Sequence, residues 1–135
     1  MAASKKYLAL DVGEKRIGVA TGDDAVRIAV PLDTVEVDGG ELERILEYII
    51  KEEVDAVIIG YPRNQSGEPT AQTQYVEAFA ERLKEGVPPI VFQDESLTSV
   101  LAEQRLQAMG TPYTKADIDA HAAAIILQDY LEQLP

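Results

Sequence analysis

Residues 8–20, LALDVGEKRIGVA, consist of two short apolar runs separated by a polar turn. The runs predict two strands, at residues 7–12 and 17–21, and the segment 13–15 between them predicts the turn of a hairpin. Asp11 lies near the end of the first run. A carboxylate among aliphatic side chains costs free energy unless a partner balances its charge. The function of this stretch therefore depends on what Asp11 holds.

The overall composition predicts one folded domain over residues 1–135, since nearly half of the residues are hydrophobic. The absence of cysteine excludes disulfides and thiolate metal sites. No apolar run has the length of a membrane span, and the first residues lack the long apolar centre of a secretory signal. We therefore expect a cytoplasmic protein that does not interact with a membrane.

The net charge of −12 argues against a protein that binds nucleic acid through its bulk charge. The charge is uneven, however. Residues 1–30 carry five basic and four acidic side chains, whereas residues 31–135 carry seven basic and twenty acidic ones. A protein of this kind can bind a polyanion only through a local basic patch, through bound cations, or through both.

The remaining hydrophobic pattern predicts further strands and helices in the order β-β-β-α-β-α-β-α-α. Three more strands are predicted at residues 28–37, 56–60 and 90–92. Helices are predicted from a start within 38–41 with apolar positions up to 50, and at about 70–84, 99–109 and 115–134. Pro31 suits an edge strand. We expect an α/β fold with a mixed five-stranded sheet, three antiparallel strands followed by parallel crossovers, flanked by helices. Functional sites of such sheets gather at the carboxyl ends of strands.

The first helix has an apparent start signal and an amphipathic pattern. Asp38 is the predicted cap, and Glu41 stands at the capping-box position. The predicted buried face consists of Leu42, Ile45, Leu46, Ile49 and Ile50. The acids on the polar faces of the predicted helices, Glu41 among them, are expected to be solvated surface groups.

Three acidic positions differ from these surface acids. Asp11 ends the first strand, Glu95 follows the last strand, and Asp119 lies in the apolar final helix. If they converge, their charges repel and raise one another's pKa, and a divalent cation removes that penalty. Mg²⁺ prefers carboxylate and water oxygens, and a pair of such ions can activate water against a phosphodiester. One interpretation is therefore a metal site.

A simpler interpretation stays open on spacing alone. An aspartate before a turn is often a turn former, and Asp94 beside Glu95 can cap a turn. Asp119 can be an acid that the helix dipole favours in the first turn. Separate structural roles for these acids thus remain an alternative to a shared metal.

Four sequence motifs, which occur in order along the chain, make the functional interpretation more specific. Residues 11–20, DVGEKRIGVA, resemble the opening signature of the YqgF/RuvX family of Holliday-junction-resolvase-like nucleases. Three further stretches also resemble motifs of that family: 57–64 (VIIGYPRN) with 66–67, 94–99 (DESLTS) with 102–103, and 118–119 with 122–131 (AAAIILQDYL). The resemblance covers nearly the whole chain, and four motifs in order are far more specific than one.

The resemblance implies a ribonuclease H-like fold, with Asp11, Glu95 and Asp119 as the catalytic, metal-binding acids. It implies a nuclease that depends on Mg²⁺, or on Mn²⁺ as the alternative ion, and that binds nucleic acid. Two substrates follow from the family: the precursor of small-subunit ribosomal RNA, which would be trimmed, and branched DNA, which would be resolved.

Four further residues are candidates for substrate binding. Lys15 and Arg16 lie in the hairpin turn beside Asp11, and Arg63 and Asn64 lie in a polar loop after a strand, where binding residues are common. The family match supports a phosphate-binding role for Lys15 and Arg16. A solvated surface is the alternative for all four residues.

One departure from the family pattern concerns Ser96, which stands where the family usually has arginine after Asp-Glu. A missing guanidinium removes a bidentate partner for phosphate or an ion-pair partner for the acids. A non-catalytic nucleic-acid-binding module is therefore the main rival, and a nucleotide-binding phosphotransferase with a similar Asp-x-Gly turn ranks last. An edge strand also leaves a homodimer open.

Overall fold

The architecture is an α/β sheet with helices on both faces. A computed structural model describes residues 4–62, 68–85, 87–95 and 98–135. The strands are β1 (Lys6–Val12), β2 (Arg16–Asp23), β3 (Val30–Glu36), β4 (Ala56–Pro62) and β5 (Ile90–Glu95). The helices are α1 (Glu41–Lys51), α2 (Ala71–Leu83), α3 (Thr98–Met109) and α4 (Lys115–Glu132).

The five strands form one mixed sheet in the order β3-β2-β1-β4-β5. β1 and β2 form the predicted antiparallel hairpin, β3 extends it antiparallel, and β4 and β5 are added in parallel. The prediction of three antiparallel strands followed by parallel crossovers is therefore confirmed. Pro31 lies in β3, which is an edge strand as expected.

The two faces of the sheet bury different kinds of side chain. Large aliphatic residues such as Leu8, Leu10 and Ile59 fill the face covered by α1 and α2. Small residues such as Ala9 and Ala20 line the other face, against which α4 packs. Side chains alternate along a strand, so Asp11 belongs to the same face as Ala9. The small residues allow α4 to lie close to the sheet beside Asp11.

β5 is longer than predicted, and the difference matters for the site. The sequence pattern predicts a strand that ends at residue 92 and a loop from 93, but β5 continues through Glu95 by pairing with β4. Polar residues hide this continuation from a hydrophobicity pattern. Because strand residues alternate between faces, Glu95 shares the α4 face with buried Gln93.

The predicted start of α1 is wrong in detail. The helix begins after Gly40, and Asp38 accepts hydrogen bonds from the Gly40 amide and from Arg44 instead of capping the helix. Glu41, predicted to be a surface acid, is buried, and its carboxylate accepts a hydrogen bond from the Gly39 amide. Backbone hydrogen bonds keep the pKa of Glu41 below its usual value. Local backbone hydrogen-bond donors to the carboxylate thus explain a burial that composition cannot reveal.

The predicted apolar face of α1 holds only in part. Ile45 and Ile49 are buried, but Ile50 is 77% exposed. Within the described part of the chain, no helix combines the length and the apolar character that a membrane crossing requires.

Candidate functional site

The first pair of acids meets across a glycine on β2. Asp11 of β1 lies opposite Gly18 of β2 in the antiparallel register. A Cβ atom on Gly18 would lie 1.9 Å from the main-chain carbonyl oxygen of Asp119. Only a residue without a side chain allows α4 to approach this closely. The bare glycine therefore positions Asp119 over the strand next to Asp11.

The third acid lies over a glycine on the other side of Asp11. Leu10 pairs with Ile59 in the parallel register between β1 and β4, so Gly60 follows beside Asp11. A Cβ atom on Gly60 would lie 2.8 Å from the Glu95 Oε1 atom. The Glu95 carboxyl group thus covers β4, and Asp11 lies between two glycine positions that are covered by Glu95 and Asp119.

The electrostatics of Asp11 agree with this arrangement. Burial first, and then the nearby charges of Glu95 and Asp119 in that order of size, together raise the pKa of Asp11 to about 8. Like charges at close range favour the protonated acid. The structure therefore brings the three sequence-predicted acids into one electrostatic neighbourhood at the carboxyl ends of β1 and β5.

Two of the acids are held by neighbouring side chains. The buried Thr98 hydroxyl donates a hydrogen bond of 2.6 Å to Glu95 Oε2. Arg16 Nε donates to Asp119 Oδ2 at 2.6 Å in a partly buried ion pair. Burial raises the pKa of the Glu95 carboxyl group, and the bond from Thr98 opposes that rise.

The chemistry of this donor set fits a hard divalent cation, because Asp11, Glu95 and Asp119 supply only carboxylate oxygens. A cation would also relieve the repulsion that raises the pKa of Asp11. In the arrangement described for residues 4–62, 68–85, 87–95 and 98–135, however, no three acidic or histidine side chains form a group that could hold a metal ion. An ion held by all three acids would thus require side-chain rotation, which the bonds to Thr98 and Arg16 oppose.

Thr98, the first residue of α3, has a bond to the site that the sequence alone did not reveal, since the sequence pattern predicts Thr98 or Ser99 as a helix cap. We expect Thr98→Val to raise the pKa of Glu95, because the hydroxyl that stabilises its charged form is removed. NMR titration of the Glu95 side-chain carbon measures this pKa. Thr98→Ser keeps the hydroxyl and is the matched control. An unchanged Glu95 titration in the valine variant would show that the bond does not hold the carboxylate.

A cleft beside the acids contains the predicted phosphate-binding residues. Its volume is about 430 Å³, and it is lined by Gly13, Glu14, Lys15, Arg16, Gln72 and Asp119. Lys15 is exposed on the hairpin turn. Gln72, in the first turn of α2, donates a hydrogen bond of 3.0 Å to the Val12 carbonyl and fixes α2 against that turn. No motif in the sequence singles out Gln72.

Three residues considered from the sequence lie outside the described residues. They are Arg63 and Asn64, predicted to bind substrate, and Ser96, which departs from the family pattern. His121, two residues from Asp119, directs its Nδ1 atom to the Asp117 carbonyl at 3.0 Å.

Solved structures with a similar fold are junction resolvases. A Thermus thermophilus RuvC bound to a Holliday junction substrate superposes with a TM-score of 0.53 at 18% identity, covering 93% of each chain. A fowlpox virus resolvase bound to Holliday junction DNA has a TM-score of 0.56 at 12% identity, covering 94% of this chain and 97% of the other. At these identities the likeness concerns the fold alone, and it confirms the ribonuclease H-like architecture.

Relatives at higher identity carry one common name, pre-16S rRNA nuclease. The protein of Chloroflexus aurantiacus is 44% identical over 130 residues, which cover 93% of this chain and 85% of that one. The protein of Chlorobium chlorochromatii is 40% identical, with 96% of each chain covered. A family model described as RuvX, Holliday junction resolvase, matches residues 5–133. The four sequence motifs, the sheet order and these matches agree: the chain belongs to the RuvX family.

Proposed function

We propose that this protein is a divalent-metal-dependent nuclease that processes the end of pre-16S rRNA during ribosome biogenesis, with branched DNA as a second substrate class. The observation that carries the proposal is the position of Asp11 between Glu95 and Asp119, each lying over a glycine on a neighbouring strand. The names of the RuvX relatives support the two substrate classes. We further propose that residues 1–135 act as a single cytoplasmic nuclease domain.

In this proposal the three acids hold the metal and the hairpin turn orients the substrate. Asp11, Glu95 and Asp119 provide the carboxylate oxygens, and the Thr98 hydroxyl engages one of the two Glu95 oxygens, Oε2. A bound Mg²⁺ or Mn²⁺ ion supplies activation of water and stabilisation of the charge that develops on the phosphate. Lys15 and Arg16 bind phosphate oxygens in the adjacent cleft. Arg63 and Asn64, which lie outside the described residues, remain proposed contacts to the nucleic acid.

The local basic turn reconciles nucleic-acid binding with a net charge of −12. Each phosphate that binds must overcome the repulsion of the surrounding acids. Lys15 and Arg16 together with metal ions at the three acids supply the local positive charge for that purpose.

A cleavage panel tests this function. The substrates are single-stranded RNA, a pre-16S rRNA end and a four-way DNA junction, each incubated with Mg²⁺, with Mn²⁺ and with EDTA. We expect cleavage of the rRNA end or of the junction with either metal and none with EDTA, because the acids alone cannot activate water. Products are resolved on denaturing gels. Binding of these substrates without cleavage under any of the metal conditions would contradict the proposal.

The second candidate function is a non-catalytic nucleic-acid-binding module. The engagement of Glu95 by Thr98 and of Asp119 by Arg16 favours it, because both carboxylates already have partners without metal. The two functions differ in metal titration: a binding module shows no Mn²⁺ site that depends on Asp11, whereas the nuclease does.

A further inference from the structure

The ion pair between Arg16 and Asp119 lies where the proposed metal site and the substrate cleft meet. Arg16 begins β2, directly after the hairpin turn, and its Nε atom is 2.6 Å from Asp119 Oδ2. Both side chains also line the cleft of about 430 Å³ that contains Lys15. One guanidinium thus contacts a proposed metal ligand and the space in which the substrate phosphate would bind.

We propose that Arg16 couples nucleic-acid binding to metal binding: an incoming phosphate draws the guanidinium away from Asp119 and releases that carboxylate to ligate the metal. This inference rests on the proposed nuclease function and concerns the regulation of the same site. Without nucleic acid, Arg16 neutralises Asp119 and competes with the metal. With nucleic acid, the positive charge moves to the phosphate, and the metal gains a ligand.

The geometry makes this exchange feasible. The Arg16 and Asp119 side chains are 28% and 21% exposed, so the pair is open to the cleft and not sealed in the core. The bond uses Nε, one of the five N–H donors of guanidinium. A phosphate can accept two parallel N–H bonds from one guanidinium. It therefore competes strongly for Arg16 with a carboxylate that is bonded through a single nitrogen.

The position of Asp119 explains why its side chain, and not helix α4, would move when Arg16 leaves it. The main chain of Asp119 lies against Gly18, where no side chain separates α4 from β2. The backbone is therefore fixed, and the side chain can exchange its partner by rotation. Asp11 lies opposite Gly18, so an Asp119 carboxylate released by Arg16 stays beside the other proposed ligands.

Linkage gives this inference two measurable consequences. If phosphate binding favours metal binding, metal must favour phosphate binding by the same factor, and coupling of this kind is typically about 5- to 150-fold. Removing the Arg16 charge should tighten metal binding in the absence of nucleic acid, because the competing cation is lost. The same change should reduce the effect of metal on nucleic-acid binding.

The first experiment measures Mn²⁺ binding by electron paramagnetic resonance without nucleic acid. We expect Arg16→Gln to bind Mn²⁺ about tenfold more tightly than the unmodified protein. Lys15→Gln is the matched control, since it removes an equal charge from the adjacent, exposed position; it should change the affinity by less than about twofold. Far-ultraviolet circular dichroism checks that both variants are folded.

The second experiment measures fluorescence anisotropy of a labelled four-way DNA junction and of a labelled pre-16S rRNA end, each with Ca²⁺ and with EDTA. For the unmodified protein we expect Ca²⁺ to tighten binding of at least one probe about tenfold, and for Arg16→Gln by less than about threefold. Equal tightening in both proteins, or an unchanged Mn²⁺ affinity in Arg16→Gln, would overturn the coupling.

These outcomes separate the coupling from the nuclease proposal. If the unmodified protein cleaves with Mg²⁺ and binds Mn²⁺ but Arg16→Gln behaves identically in both binding experiments, only the coupling is wrong. If the unmodified protein neither binds Mn²⁺ nor cleaves, both proposals are wrong.

Discussion

Replacement of Asp11 by asparagine is expected to reduce Mg²⁺-dependent cleavage by on the order of 10³-fold or more. Asparagine has nearly the same shape as aspartate but lacks the charge that attracts a cation to the position between Glu95 and Asp119. Initial rates on the best substrate of the cleavage panel, at saturating Mg²⁺, measure the effect. Asp129→Asn, which removes an exposed carboxylate of α4, is the control and should retain the rate. Retained cleavage in Asp11→Asn would remove the mechanism.

The stability of the same variant distinguishes lost chemistry from lost fold. Because the pKa of Asp11 in the folded state is raised to about 8, far above its unfolded value, the carboxyl group stabilises the fold at low pH. That contribution is lost as the pH rises through 8, when the buried acid ionises. Asparagine cannot ionise, so in EDTA the melting temperature of Asp11→Asn should fall less between pH 6 and pH 9 than that of the unmodified protein.

The hairpin and the parallel additions could be predicted from the sequence because each depends on local pattern. Two apolar runs around a Gly-containing turn fix β1 and β2, and alternation of strand and helix fixes the rest of the order. The end of β5 could not be predicted, because residues 93–95 are polar and their strand conformation comes from pairing with β4. Tertiary pairing overrides local propensity there.

The three acids could be predicted as a group, whereas their immediate partners could not. A carboxylate at a strand end is visible in the sequence, but the bond from Thr98 to Glu95 depends on how α3 begins after β5. Arg16 was predicted to bind phosphate, and in the structure it is bonded to Asp119, 103 positions away in sequence. No periodicity encodes a contact across that separation, so the bond to Asp119 could not be predicted. The phosphate-binding role of Arg16 stays a prediction.

The two glycines beside Asp11 connect the fold to the site. The structure gives each glycine a specific neighbour, the Asp119 main chain at Gly18 and the Glu95 carboxyl group at Gly60. Because neither glycine has a side chain, Asp119 and Glu95 can lie close to the strands beside Asp11. A substitution at Gly18 should therefore affect both the stability of the fold and the geometry of the site.

Gly18→Ala is expected to lower the free energy of unfolding by about 3 kcal/mol or more. The added Cβ would lie 1.9 Å from the Asp119 carbonyl oxygen and 2.4 Å from its carbonyl carbon, so the backbone of α4 must move away from β2. A main-chain clash cannot be relieved by changing a rotamer. Because Asp119 moves with α4, cleavage should also fall steeply under conditions in which the variant is folded. Urea unfolding followed by circular dichroism measures the stability.

Gly40→Ala is the matched control for this substitution, since its added Cβ would meet side-chain atoms and no main chain: Arg44 Nη1 at 3.2 Å and Asp38 Oδ1 at 3.6 Å are the nearest. It lies at the N-cap of α1, where exchanging glycine for alanine should cost less than about 1 kcal/mol. A Gly18→Ala protein as stable as Gly40→Ala would mean that α4 does not lie against β2 in this register. Asp119 would then have no reason to be beside Asp11, and the grouping of the three acids would have to be abandoned together with the metal site.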